Sequence, residues 1–530
     1  MFPRPFLHFF NKSEISTVGG VEATLPVDVV AGALVAYGTK SLTTNWLSGK
    51  LFDCLDNGYA THTIYAINGL PDVVTFASIL GVDPITGSGF LPLLKMYDQS
   101  GNGLDAVQTS GTSGYYPVIM LYNGEVSIVS DGVFQTNAGG NTYTQYLVIP
   151  NGLSTNNQSI ASYFVSTLGQ STSIIGNPGH GDTYWANILL NTGTAFGSGF
   201  AYFTAGGGQN SGPMGSNLED WNGALSNSAA LPSAAQRSVH HFNCSASSMV
   251  VGSNEETLTI ANSLSAGTAS GGWLFSSPIT ADYGVYGRTE AIVLYPTQNS
   301  TDSSKIRNSL YTLFEITGSP KYNVVVDGSS IEMGWGSIPS SASFGNVSSC
   351  ALGWDQQIEK AMRLYGQPIK LSNTSVPAGT VEDCNTNFPY NATNFFSSAF
   401  SKNILFATGF CNHNSFSAGD SAATAYTALQ SYITQAKAAH TWDTIFVFIS
   451  GENTAYDALV KAGAATMGIT LIDFTLPAYT STLPGDWSTS NSKYYNQSGT
   501  YVGTGIHPTA LGYSYTANYI LGYLKTALGV

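Results

Sequence analysis

The run Val324-Val325-Val326-Asp327-Gly328-Ser329-Ser330-Ile331 sets an apolar, β-branched segment directly before two hydroxyls. Such a segment reads as a buried strand, and the first hydroxyls after it sit on the turn at its C-terminal tip. Open α/β sheets keep their chemistry at that end. Gly328 lets the backbone approach a bound oxyanion closely. Ser330 is the candidate nucleophile, and a register one residue earlier leaves Ser329 as the alternative. A serine hydroxyl is a poor nucleophile near neutral pH until an imidazole accepts its proton, and His507, in Gly505-Ile506-His507-Pro508-Thr509, is placed late in the chain to serve. A tetrahedral oxyanion also needs donors. The side-chain amide of Asn412 or Asn414 and the backbone N–H groups of Ser330 and Gly379 are of the right kind.

Those residues need a scaffold that brings them together. After Thr317-Gly318-Ser319-Pro320 the pattern becomes apolar runs alternating with helical stretches. Trp354 to Tyr365 has helical composition and stops at Gly366, and Pro368 to Leu371 reads as the next strand, with Val376 to Thr380 as the loop beyond it. Asn403 to Thr408 is a third strand, tipped by Gly409 to Asn414. Ser421 to Ala439 is a helix, Thr444 to Ile449 a strand, Ala455 to Met467 a helix and Ile469 to Asp473 a strand. Strands alternating with helices predict a doubly wound parallel α/β sheet over residues 318–530, with the candidate residues on loops along one edge.

Ser, Gly, Asn and His in that order resemble the blocks of the SGNH, or GDSL-type, hydrolases. Gly328-Ser329-Ser330-Ile331 resembles the first block, Gly379 the second, Gly409 with Asn412 the third, and Ile506-His507-Pro508-Thr509 with Gly512 the last. The resemblance implies a serine esterase that uses Ser330 and His507, with Ser330, Gly379 and Asn412 as oxyanion donors. Three positions depart from the pattern. Ser329 replaces the acid of the first block, and Asn412 is preceded by one residue more than usual, which keeps Asn414 open. Thr504 stands three before His507, where the family has the Asp that orients the imidazole. Loss of that acid costs about 10⁴ in rate in another serine hydrolase. Asp473 and Asp486 are substitute acids to be weighed.

Residues 41–317 show short alternating runs between Gly, Asn, Ser and Pro clusters, such as Gln145 to Ile149, Trp185 to Leu190 and Glu256 to Ile260. Short strands at that spacing predict an antiparallel β-sandwich, preceded by an N-terminal segment over 1–40. The string Lys95-Met96-Tyr97-Asp98-Gln99-Ser100-Gly101-Asn102-Gly103-Leu104-Asp105 and the closing Thr289 to Tyr295 strand with its Asp302 to Phe314 helix resemble the concanavalin-like, jelly-roll sandwich of α-L-arabinofuranosidases. A glycosidase would need paired carboxylates. Glu219, Asp220 and Asp282 stand there without a motif, and Tyr97, Asp98 and Gln99 read as a structural turn. A glycan-binding surface of exposed Tyr, Trp and amides is the reading that remains for this part.

The chain has 530 residues, which predicts two or three domains. Charged residues make up only 9%, with 58 Gly and 12% aromatics, a balance met in extracellular and virion-surface β proteins. A net charge of −14, with 18 dispersed Lys and Arg, argues against nucleic acid and anionic membranes as partners. The five cysteines lack CxxC spacing, so no metal or other cofactor is expected; Cys350 and Cys384 are one pairing that sequence leaves open. Neither a secretory signal nor a membrane span is read. Together these point to an esterase removing acyl groups, foremost O-acetyl, from a polysaccharide, as an extracellular or virion-surface component, including a viral tail assembled as a homo-oligomer. The competing readings are a glycan-binding adhesin with a degenerate hydrolase domain and a glycosidase built on the sandwich.

Overall fold

The computed structural model describes residues 25–85, 87–109, 116–131, 135–136, 142–143, 146–153, 155–156, 159–168, 184–191, 199–206, 215–220, 224–229, 237–254, 256–261, 268–269, 271–275, 286–316, 320–332, 334, 352–375, 379–386, 399–495 and 507–530. Thr504, Asp282, Cys350 and the 317–319 junction lie outside them.

The valine strand, Tyr322–Val326, is central in a parallel sheet whose spatial order is Ile369–Asn373, Tyr322–Val326, Lys402–Phe406, Thr444–Ile449, Thr470–Asp473. Successive side chains leave a strand on opposite faces. Val324 and Val326 accordingly meet helices Trp354–Leu364 and Ala510–Leu528, while Val325 meets Ala422–Ala439 and Thr454–Met467. With helices on both faces the sheet is doubly wound, and its order reverses between the first and third strands in sequence. A crevice opens at such a switch point, outside the carboxyl ends of the strands. Local signals end the elements: the Ser421 hydroxyl caps the N–H of Thr424, and Gly468 closes Thr454–Met467 in the left-handed conformation with φ 57°.

The strands between Val35 and Pro296 pair antiparallel and form the sandwich. Ile160–Leu168 lies between Arg237–Cys244 and Tyr286–Pro296. One face of this sheet, with Phe164, Phe242 and Leu294, packs on Phe52, Leu93 and Leu147 of the second sheet. The other face, with Tyr163, Val165 and Val293, is covered by Ile306 and Leu310 of helix Ser300–Leu313. The Tyr97–Gln99 turn satisfies backbone groups: Asp98 accepts from the N–H of Ala36 (3.0 Å) and Ser100 (2.9 Å), and Gln99 Oε1 from that of Leu42 (2.7 Å). Among the described residues no helix is long and apolar enough to cross a membrane.

The two parts touch. Val118, Met120, Tyr122 and Val129 of the sandwich form one buried cluster with Leu352 and Ala510. Beside it, Glu125 pairs with Arg237 at 3.2 Å and with Lys360 of helix Trp354–Leu364 at 3.0 Å.

Candidate active site

The Tyr322–Val326 strand hands over to a turn that its neighbour holds: the N–H of Asp327 donates to the Phe406 carbonyl at 3.0 Å. Gly328, Ser329 and Ser330 follow into the crevice. The two serines then part. Ser329 is buried, and both its N–H (2.9 Å) and its hydroxyl (3.1 Å) donate to Glu332 Oε2. Ser330 is half-buried, and its Oγ lies 2.8 Å from His507 Nε2. The structure thus brings Ser330, and not Ser329, to the imidazole.

His507 arrives from the far end of the chain. Pro508 bridges Tyr495, the Thr509 N–H donates to the Tyr494 carbonyl at 2.8 Å, and the Thr509 hydroxyl caps helix Ala510–Leu528. Burial, with a contribution from the charge of nearby His413, lowers the His507 pKa from 6.5 to about 4. The ring is therefore neutral at neutral pH, with Nε2 able to take the Ser330 proton, yet it is a weak base for that task. Asp473 and Asp486, the substitute acids weighed from the sequence, have other partners. Lys461 pairs with Asp473 at 2.7 Å and the Thr475 hydroxyl donates to it at 2.5 Å, while Tyr494 donates to Asp486 at 2.7 Å.

The third block is not the loop tip that sequence indicated. Cys411–Ser417 is a short helix, and it sends its two asparagines to different partners. Asn414 Nδ2 donates to the Gly379 carbonyl at 2.9 Å, fixing the second block. Asn412, buried, gives one N–H to Ser450 Oγ at 2.9 Å, and an amide nitrogen carries two. His413, between them in sequence, bonds Glu452, whose carboxylate raises its pKa. Glu219 and Asp220 end the strand Gly215–Asp220 in the sandwich.

Glu332 is the residue that sequence reasoning missed. Its Oε2 holds Ser329 while its Oε1 accepts the Phe410 N–H at 3.1 Å, so one carboxylate joins the nucleophile turn to the third block. Its own carbonyl accepts Asn373 Nδ2 at 2.8 Å, and the same amide donates to Asp355 at 2.8 Å. The side chain fills the space beside two glycines. A Cβ on Gly328 would lie 2.4 Å from Glu332 Cγ, and one on Gly409 2.2 Å from Glu332 Cδ. Thr408 and Gly409 both take positive φ (58° and 40°), a strained turn for a β-branched residue. A lone Glu in a chain with so few charges was the available signal. Burial pushes the carboxyls of Asp327, Glu332 and Asp355 up to about 7, against the hydrogen bonds each accepts.

Behind this layer Cys384 and Cys411 face each other with sulfurs 3.3 Å apart, so the thiol next to Cys384 is Cys411. Burial raises the Cys411 pKa to about 11, which keeps it an inert thiol.

No protein-family model matches the chain, and no curated protein matches it. Among solved structures, a GH54 α-L-arabinofuranosidase aligns with 54% of this chain at 15% identity and a TM-score of 0.38. The alignment spans 65% of that enzyme, less than two thirds of its length. A lipolytic protein of the G-D-S-L family from Veillonella parvula aligns with 38% of this chain and 97% of its own, at 17% identity and a TM-score of 0.27. A family two carbohydrate esterase from Cellvibrio japonicus aligns with 76% of this chain and 95% of its own, at 10% identity and a TM-score of 0.31.

Proposed function

We propose that residues 318–530 form a serine esterase that removes acyl groups, O-acetyl foremost, from a polysaccharide held against the sandwich of residues 41–317. The observation that carries this reading is the 2.8 Å contact between Ser330 Oγ and His507 Nε2 at the carboxyl end of the Tyr322–Val326 strand. Ser330 Oγ attacks the acyl carbon as its proton passes to His507 Nε2. The oxyanion forms against the N–H groups of Ser330 and Gly379 and the second N–H of Asn412. His507 returns the proton to the sugar oxygen as the ester bond breaks, and water then releases the acyl group from Ser330 by the same route in reverse. Exposed Tyr59 and Tyr65 on the sandwich suit contact with glycan. The low-charge surface suits an extracellular or virion setting, including a homo-oligomeric viral tail.

A second reading has a specific observation in its favour. An imidazole held at about 4 and lacking a carboxylate at Thr504 is poorly poised, as in a glycan-binding adhesin whose hydrolase has decayed. Activity separates the two. A serine-directed phosphonate is expected to label Ser330, and Ser330→Ala and His507→Ala each to abolish hydrolysis of a small activated ester. The double variant is expected to lose little more. Asn412→Ala is expected to slow the reaction by about 10²–10³, the loss typical of one oxyanion donor. Wild type that neither labels nor hydrolyses leaves the adhesin.

A further inference from the structure

Position 504 holds Thr where the resembled family has Asp, and the chain on the C-terminal side of His507 is tied to the sandwich. Three residues after His507, Ala510 opens helix Ala510–Leu528 and is buried against Leu352, Val118, Met120, Tyr122 and Val129. Its carbonyl accepts a hydrogen bond from Gln357 Nε2 at 3.0 Å, in addition to serving the first turn of its own helix. The same nitrogen donates to the Leu352 carbonyl at 2.9 Å. Gln357 Oε1 in turn accepts the Tyr122 hydroxyl at 2.8 Å. One side-chain amide therefore uses both donors and its acceptor to connect strand Val118–Tyr122 of the sandwich to the segment that carries His507. The ion pair of Glu125 with Lys360, one turn along the helix from Gln357, crosses the same junction.

We propose that Gln357 is a positioning residue through which the sandwich holds His507 in line with Ser330. The inference rests on the reading of Ser330 and His507 as a reacting pair, and it gives the sandwich a part in the chemistry beyond glycan contact. Tyr122 sets the Gln357 amide, the amide fixes the Ala510 carbonyl, and the short rigid run Pro508-Thr509 passes that placement to the imidazole. A misplacement of the base is felt in the chemical step and leaves the binding of a small ester unchanged.

The test uses the full chain with three variants and a control. Gln357→Glu keeps an acceptor for Tyr122 and loses both donors, Gln357→Leu loses all three bonds, and Tyr122→Phe loses only the bond that crosses from the sandwich. For a small activated acetyl ester, kcat is expected to fall about tenfold in both Gln357 variants and about threefold in Tyr122→Phe, the range of one hydrogen bond, with KM unchanged. Lys360→Met breaks a neighbouring contact of the same interface and is expected to lower the melting temperature while kcat stays at the wild-type value. A second readout needs no catalysis: the rate at which diethyl pyrocarbonate modifies His507, followed by peptide mass spectrometry, is expected to rise severalfold in the Gln357 variants and not in Lys360→Met. Wild-type kcat and wild-type modification rates in the Gln357 variants overturn the proposal, as does a Lys360→Met loss of kcat equal to theirs. A wild type that hydrolyses nothing overturns the esterase reading, while the modification rates still decide whether Gln357 braces His507.

Discussion

Proton transfer between Ser330 and His507 depends on the protonation state of one imidazole, and that state has a sign that can be measured. With its pKa lowered to about 4, His507 stays neutral and able to accept a proton well below the usual histidine range near 6.5. The acid limb of kcat/KM is therefore expected near pH 4, with activity kept at pH 5. Thr504→Asp tests the cause: a carboxylate receiving the ring N–H favours the imidazolium, so the limb should move to higher pH and the rate at pH 7 should rise. A limb at 6.5 in wild type would contradict the burial of this histidine.

Glu332 titrates with the opposite sign. Its folded pKa is raised from 4.5 to about 7, so the folded chain binds a proton that the unfolded chain releases between those values. The stability this group contributes is present below pH 4.5 and is lost as pH rises through about 7. Glu332→Gln mimics the neutral form and removes the titration. In thermal melts the variant should gain on wild type between pH 5 and pH 8; a constant gap would mean that the carboxylate is charged throughout. His240 and His507, both lowered to about 4, pull the whole protein the other way as pH falls, which is why the comparison is made between variant and wild type.

At the scale of elements, the turn at Thr408-Gly409 exists to let Glu332 reach Phe410. Gly409→Ala places a methyl 2.2 Å from Glu332 Cδ at a φ of 40°. It is expected to cost more than about 2 kcal/mol, since overpacking and a positive φ act together, and to slow any esterase activity as the third block moves. A denaturant midpoint equal to wild type would show that the turn adapts. Other elements of this part were legible because their signals are local. Three valines before a Gly-Ser pair, an amphipathic Trp354 helix ending at Gly366 and a Ser421 cap each state their structure within a few residues. The order of the strands was not legible, and neither was the meeting of Glu332 with Phe410, of Asn414 with Gly379 or of Cys384 with Cys411. Those contacts join residues far apart in the chain through loops, and no periodicity records them. Read as an irregular tip, Cys411–Ser417 forms a helix whose Asn, His and Ser side chains find partners on neighbouring segments, which intrinsic propensity does not register.

Over the whole molecule, the question is how far residues 318–530 stand alone. Both clusters that sandwich the parallel sheet are drawn from residues between Tyr322 and Leu528, so the core of this part is complete without the sandwich. Of the charged contacts at the junction, separation breaks the Lys360–Glu125 pair and leaves the Arg237–Glu125 pair. Burial opposes the charge on Glu125, but Arg237 and then Lys360 hold its carboxyl well below the usual range, and cutting the chain leaves Arg237 with Glu125. Lys360 merely passes into water, where an exposed ammonium costs little. Separation also removes the Tyr122–Gln357 hydrogen bond and the apolar contact of Leu352 and Ala510 with Val118, Met120, Tyr122 and Val129. Residues 318–530 expressed alone are therefore expected to fold, with circular dichroism of an α/β protein. They should melt about 5 °C below the corresponding transition of the full chain, the shift that about 2 kcal/mol produces in a domain of this size. Because the exposed patch borders the segment that follows His507, the loss should fall on turnover more heavily than on stability. An unfolded fragment would overturn the independence of its core, and a fragment with full kcat would mean that the sandwich leaves His507 untouched.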